Sequence, residues 1–370
     1  MYTRKLILGL AFLLLAAGLT AQSLSIAEFE MEASGYQDAD TGNPVLETDG
    51  VLAGRFAPVN TIVFSAKASF MINDTAHFLH PSPDFRQPGS VSFDGASVLL
   101  PYLLGNFVDL AVFTGDYDDP ASGTLLRSLL KKDLPEPEFF DMPAGSVFSS
   151  DTGIAGTGIA LTAAPGNRNY VTGLYMYWNA ATGSDAAATG DFCLGSTGPF
   201  CTYNAFIGAS SNLSEPDMTL RGGATSLFTP PGGNDLYLEF GTRSYTPGET
   251  HLDRTLYMLF EPRIHWARSD LFLSFFSAPI EETDGNYLGA NILFGYGRLD
   301  VERMRGGISI LGSIDPQNPG TLTPFTFSVS PFYSIMRGSF VLDITAVIKP
   351  LLLDDLASAG ELQIGLKAVY

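Results

Sequence analysis

Apolar residues recur at every second position through most of this 370-residue chain. In TLYMLFEPRIHW (255–266) one face carries Leu256, Met258, Phe260, Pro262, Ile264 and Trp266. The other carries Tyr257, Leu259, Glu261, Arg263 and His265. In SFVLDITAVIK (339–349), Phe340, Leu342, Ile344, Ala346 and Ile348 alternate with Ser339, Val341, Asp343, Thr345, Val347 and Lys349. Alternation of this kind predicts strands with one apolar and one mixed face. Segments of this type lie near 24–33, 49–57, 60–72, 90–100, 106–115, 154–164, 169–179, 201–211, 217–229, 234–244, 253–266, 269–278, 287–300, 303–314, 323–333, 339–348 and 361–370. They run to about ten residues, longer than the usual five or six of a soluble sheet, and match a tilted strand crossing a bilayer. Pro262 and Pro331 fall inside two of them, where each removes a ladder donor.

The connections alternate in length. Working back from the end, 349–360, 315–322, 279–286 and 245–252 are long, while 334–338, 300–303 and 267–269 are short. Transmembrane barrels have tight turns at one rim and longer loops at the other. The predicted fold is all-β: an antiparallel up-and-down transmembrane barrel. Such barrels have an even strand number, so about 16 strands are expected, within 14–18. Trp266, Tyr333 and Tyr370 fall on apolar faces at the short-turn ends and predict an interfacial girdle.

The final stretch, ELQIGLKAVY, places Leu362, Ile364, Leu366, Ala368 and Tyr370 in alternation and ends on an aromatic ring. It resembles the C-terminal assembly signal of bacterial outer-membrane β-barrel proteins, although that class more often ends on Phe. The resemblance is to a porin-like class, without a specific family. It implies insertion into the outer-membrane bilayer by the barrel-assembly machinery. The other end agrees: Arg4 and Lys5 precede LILGLAFLLLAAGL, with small residues closing at Ala21. This reads as a signal peptide over 1–21, with the barrel over 22–370.

Composition sharpens the picture. The chain is 45% hydrophobic and carries a net charge of −19. No long apolar run free of charge follows the leader, so the apolar content belongs to strands and not to a membrane helix. The acidity argues against a nucleic-acid partner. Cys193 and Cys201 flank LGSTGPF in an exported chain, and a loop disulfide is expected between them.

One region does not alternate. Within the long connection 116–153, the stretch DDPASGTLLRSLLKKDLPEP (118–137) puts Leu125, Leu126, Leu129 and Leu130 on one stripe. It predicts a short helix that either folds into the lumen as a constriction or packs on the rim. With it go Arg127, Lys131 and Lys132 as constriction candidates. Lys67, Asp109, Glu239, Arg243, Glu261, Arg263, His265, Arg303, Arg305, Asp343 and Lys367 are expected on the lumen face. Basic residues gather toward the C-terminal strands (Arg263, Arg298, Arg303, Arg305), so opposed charges across the lumen would set a transverse field. The same charges could also pair across strands.

Metal and enzyme signals are weak. His77 and His80 form H-x-x-H outside any helical pattern. DADTGN (38–43) and Asp116, Asp118 and Asp119 resemble loop calcium ligands without the rest of an EF-hand. Apart from that loop calcium no cofactor is expected. No nucleophile elbow accompanies the four histidines, so no enzyme is expected. The expected function is passive diffusion of small hydrophilic solutes through a water-filled lumen. A surface adhesin on a barrel scaffold and a plugged transporter of hydrophobic ligands are the alternatives. A homo-oligomer is compatible with the class, although no residue decides it.

Overall fold

The computed structural model describes residues 24–37, 44–59, 61–72, 89–103, 107–140, 152–165, 169–179, 187–212, 218–248, 251–279, 288–299, 301–314, 325–352 and 359–368. The leader, the 38–43 stretch, His77, His80 and Tyr370 lie outside them. The strands are β1 (Leu24–Gln37), β2 (Pro44–Val59), β3 (Ile62–Ile72), β4 (Ser90–Leu100), β5 (Val108–Asp118), β6 (Ile154–Ala163), β7 (Tyr170–Asn179), β8 (Ala187–Thr197) and β9 (Cys201–Asn212). They continue as β10 (Met218–Phe228), β11 (Asp235–Tyr245), β12 (Leu256–His265), β13 (Ser269–Ser277), β14 (Leu288–Tyr296), β15 (Met304–Ile314), β16 (Phe325–Arg337), β17 (Phe340–Ile348) and β18 (Gly360–Ala368). Each pairs with its sequence neighbours, and β18 returns to pair with β1, Glu30 opposite Lys367 and Glu32 opposite Gly365. Every pairing is antiparallel, so one sheet closes on itself and leaves no edge.

The described residues form a barrel of 18 strands, not about 16, at the upper end of the expected 14–18. The alternation had located seventeen of them and passed over β8. Its sequence, AATGDFCLGST, has mostly small residues on its outward face, among them Ala188 and Gly190, so it shows no apolar comb. The 179–202 region therefore looks like a loop when read without its neighbours.

The sheet is greasy outside and polar within. Along β12, Met258 and Phe260 are 60% and 45% exposed, whereas Glu261 and Arg263, on the opposite face, are 0% and 3% exposed. The same inversion holds on β14, where Ile292 and Phe294 are exposed and Asn291 is buried. The two mid-strand prolines point outward and sit at lapses in the ladder. The β12–β13 register skips Pro262, and the β16–β17 register skips Pro331. On that side the ring supplies no donor, while Pro262 stays in register with Leu236 and Pro331 with Ile308 on the other side.

One rim carries short turns, such as 198–200, 266–268 and 338–339. The other carries the long connections, including 73–89, 119–153 and 349–359. Trp266 and Tyr333 are exposed on the short-turn side of the wall. Tyr102, Phe107, Tyr170, Phe200, Phe228, Tyr296 and Phe340 join them at that rim. Most of these lie in or beside turns, where alternation has already stopped, so the pattern alone did not select them.

Candidate functional site

The connection after β5 enters the barrel and crosses it. Residues 124–130 are helical, the last five (Leu126–Leu130) forming a wide π-type turn. Lys131 ends it in the left-handed conformation, φ 57°. Leu125, Leu126 and Leu134 are buried against the inward faces of β5 to β9, with Phe113, Val171, Tyr175, Cys193 and Phe206. The wall is cut away to receive them. A Cβ at Gly173 would stand 2.8 Å from Leu125 Cδ1, and one at Gly195 would stand 2.8 Å from Leu126. Only glycine at these two positions lets the helix lie so close to the sheet. The leucine stripe therefore packs within the lumen and not on the rim.

Polar contacts fix the rest of the crossing. Pro120 O accepts from Asn204 Nδ2 and, at 3.5 Å, from Cys193 Sγ. Ala121 O accepts from Thr225 Oγ1 at 3.3 Å. Tyr175 Oη donates to Asp118 at 2.6 Å, and Asp119 accepts from Thr152 Oγ1 and from Ala121 N. Of the three carboxylates read in sequence as possible calcium ligands, Asp118 thus joins the start of the connection to the β7 wall, and Asp119 joins its two ends. Farther along, Arg263 Nη2 donates to Pro135 O at 2.8 Å. Arg305 Nη1 clasps both oxygens of Glu138, at 2.6 and 2.8 Å. Phe139 meets Phe276 edge-on, and Phe140 stacks on Phe332 at 4.9 Å. The segment thus runs from the β8–β10 wall to the β15–β16 wall.

The candidate lumen charges divide into groups. Arg263 and Glu261 form a buried pair, 2.6 Å, with Arg263 over the Tyr237 ring at 4.9 Å and Ser274 donating to Glu261. Glu239 accepts from Tyr237 Oη, and Arg243 lies over Tyr257. His265 sits between Asp270 and Asp235 near the short-turn rim. Lys67 pairs with Glu28, and Lys367 with Asp343. Asp109 caps the 101–107 turn by accepting from Tyr102 N. Arg127 pairs with Asp133 within the crossing segment, Lys131 Nζ donates to Ser128 O, and Lys132 is exposed. Arg303 is not on the wall: it occupies the exposed turn between β14 and β15 with φ 59°.

The sequence reading does not single out Arg221 or the acidic face of β1. Arg221 on β10 bonds both oxygens of Asp191 (2.8 and 2.6 Å) and Tyr177 Oη (2.6 Å), tying three strands together below the segment. Its partner Asp191 lies on the unread β8. The acidic face of β1, in EFEME, does alternate with Phe29 and Met31 and was legible as a comb. The predicted disulfide is absent: both cysteines are free. Cys193 is in register with Phe206, five residues along β9 from Cys201, or about 16 Å at strand rise. A disulfide needs Cα atoms within about 7 Å.

On the side away from the leucines, a cavity of about 760 Å³ remains between residues 136–140 and the walls of β15 to β18 and β1. Glu30, Glu32, Asp343, Glu361, Arg305 and Lys367 line it from the walls, and Glu136 and Glu138 from the segment. Burial raises the Asp119 and Glu136 carboxyls above the ordinary range; the charge of Asp119 adds to this at Glu136, and Arg127 opposes it. The expected opposition of bases to acids across an open lumen is not what forms. Arg221, Arg263 and Arg305 hold the crossing segment and its surroundings.

A multiply substituted variant of the Rh. blastica porin aligns over 94% of this chain and 99% of its own at 9% identity, with a TM-score of 0.51. Another variant of that porin (10% identity, 94% and 99% covered, TM-score 0.48) and Pseudomonas putida OprB (8%, 97% and 95%, TM-score 0.45) are also similar. At these identities the likeness concerns the fold: the chain is a porin-like closed barrel. No family model and no curated protein matches the sequence.

Proposed function

We propose that this chain is a bacterial outer-membrane channel for passive diffusion of small hydrophilic solutes. The apolar outer belt, with Met258, Phe260, Phe275, Ile292 and Phe294 exposed, is stable only against hydrocarbon. Closure satisfies the backbone within that medium, and aromatic rings at the short-turn rim suit the interface. Export and insertion by the barrel-assembly machinery follow from this reading.

The observation that carries the reading is the crossing segment. It fills one half of the lumen with a leucine core and leaves a polar cavity of about 760 Å³ in the other. Solutes pass beside the segment, and its 136–140 edge sets the width. An adhesin would not need a lumen so arranged. A carrier of hydrophobic ligands would present an apolar path, whereas six carboxylates line this one.

Planar-bilayer recording tests the proposal. The purified barrel gives stable conductance steps, and deletion of 126–133 enlarges them. A barrel that inserts and stays silent in both forms overturns the channel reading.

A further inference from the structure

We propose that the passage selects for cations over anions, and that Glu30, Glu32 and Glu361 on the β1–β18 seam set this preference. The inference rests on the channel reading above.

The lining holds six carboxylates and two basic side chains. Both bases are already engaged. Arg305 is clasped by Glu138, and Lys367 lies 3.5 Å from Asp343. Among the described residues, no ion pair reaches Glu30, Glu32, Glu136 or Glu361. Gln363 Nε2 donates to Glu361, a neutral contact that leaves its charge in place. The narrow path therefore keeps four negative charges in formal excess.

Topology explains why they gather there. β1 presents Glu28, Glu30 and Glu32 on one face, and closure sets that face beside the polar face of β18. Glu32 is also opposite Asp49 of β2, which extends the acidic strip along the wall. Lys67 neutralises Glu28 only. The arginines that could have balanced the strip are turned to other work: Arg221 is bound to Asp191, and Arg263 to Glu261 and Pro135. The crossing segment thus removes positive charge from the open half of the lumen and adds Glu136 to it. A cleft lined by one sign of charge with low-dielectric walls concentrates counter-ions about tenfold or more. Charged rings of this kind underlie ion selectivity in pores.

The test is the reversal potential of single channels under a KCl gradient. The intact protein should favour K⁺ over Cl⁻ by about tenfold. The triple variant Glu30→Gln, Glu32→Gln, Glu361→Gln should form channels of unchanged stability whose preference falls several-fold toward unity. Equal permeability or anion preference in the intact protein overturns the inference while leaving the channel reading standing. Undiminished preference in the triple variant overturns the assignment to these three carboxylates. A protein that inserts and never conducts overturns the channel reading and the inference with it.

Discussion

Leu126 is the residue through which the crossing segment can be loosened without touching the barrel. Its side chain is wholly buried between the helix and the inward faces of β7 and β8. Leu126→Ala removes atoms that sit in the space Gly195 leaves open. A buried Leu→Ala change costs roughly 2–5 kcal/mol. The strands keep their own hydrogen bonds, so the loss falls on the equilibrium between docked and undocked segment. About 3 kcal/mol corresponds to roughly a hundredfold rise in the undocked population. Trypsin reads that population. Arg127, Lys131 and Lys132 lie on the helix and just after it, inside a lumen whose open cavity of about 760 Å³ admits no protease. Cleavage there requires undocking, and its rate tracks the open fraction when reclosing is fast. The variant should therefore be cut at 127–132 roughly a hundredfold faster than the parent. Gly195→Ala should also accelerate cleavage, because its Cβ would stand 2.8 Å from Leu126 Cγ and Cδ2. With Leu126→Ala present those atoms are gone, so the double variant should be cut more slowly than the sum of the two effects implies. Equal rates for Leu126→Ala and parent, in a barrel that still migrates as a compact unboiled band, would refute the docking argument.

Further expectations concern charge, thiols and acid. Arg263→Ala leaves Glu261 buried without its partner and should cost about 3–5 kcal/mol, seen as a lower urea midpoint; Glu261→Leu with Arg263→Met should recover most of it. If the single variant unfolds at the parental midpoint, the pair is not holding this wall. Reductant should leave gel mobility unchanged, and in the folded barrel a small maleimide should label Cys201 well before the wholly buried Cys193. A single mass species linking the two would contradict the strand register. Cation preference should decline on acidification, because protonation removes negative charge from the passage. Since burial raises the Glu136 carboxyl, the decline should begin above the ordinary carboxylate range. A preference that stays flat from neutral to strongly acidic pH would count against Glu136 and its neighbours as the source of the field.

The strands were readable wherever one face had to meet hydrocarbon. β12, β16, β17 and β18 carry large apolar residues at every second position, because a strand crossing a bilayer exposes one face to lipid and one to water. The same constraint made connection lengths informative and put Trp266 and Tyr333 in phase. It failed at β8, where small outward residues satisfy the sheet without a comb. Cys193 on β8 and Cys201 on β9 pointed to a local bridge that only the strand register forbids. Lumen-facing polarity was likewise visible in Glu261, Arg263, Arg305 and Lys367.

What those polar groups do was decided by the tertiary structure alone. The leucine stripe of 125–130 fits a rim or a lumen equally well as a sequence. Gly173 and Gly195, some fifty and seventy residues away, make the lumen the better fit by opening space against the wall. Likewise, the arginines of β12 and β15 read as an open basic wall until the fold brings Pro135 and Glu138 to them. Alternation is a local consequence of strand geometry and solvent, so the chain displays it directly. Pairing across a lumen joins residues more than a hundred positions apart, and only the closed barrel brings them within reach.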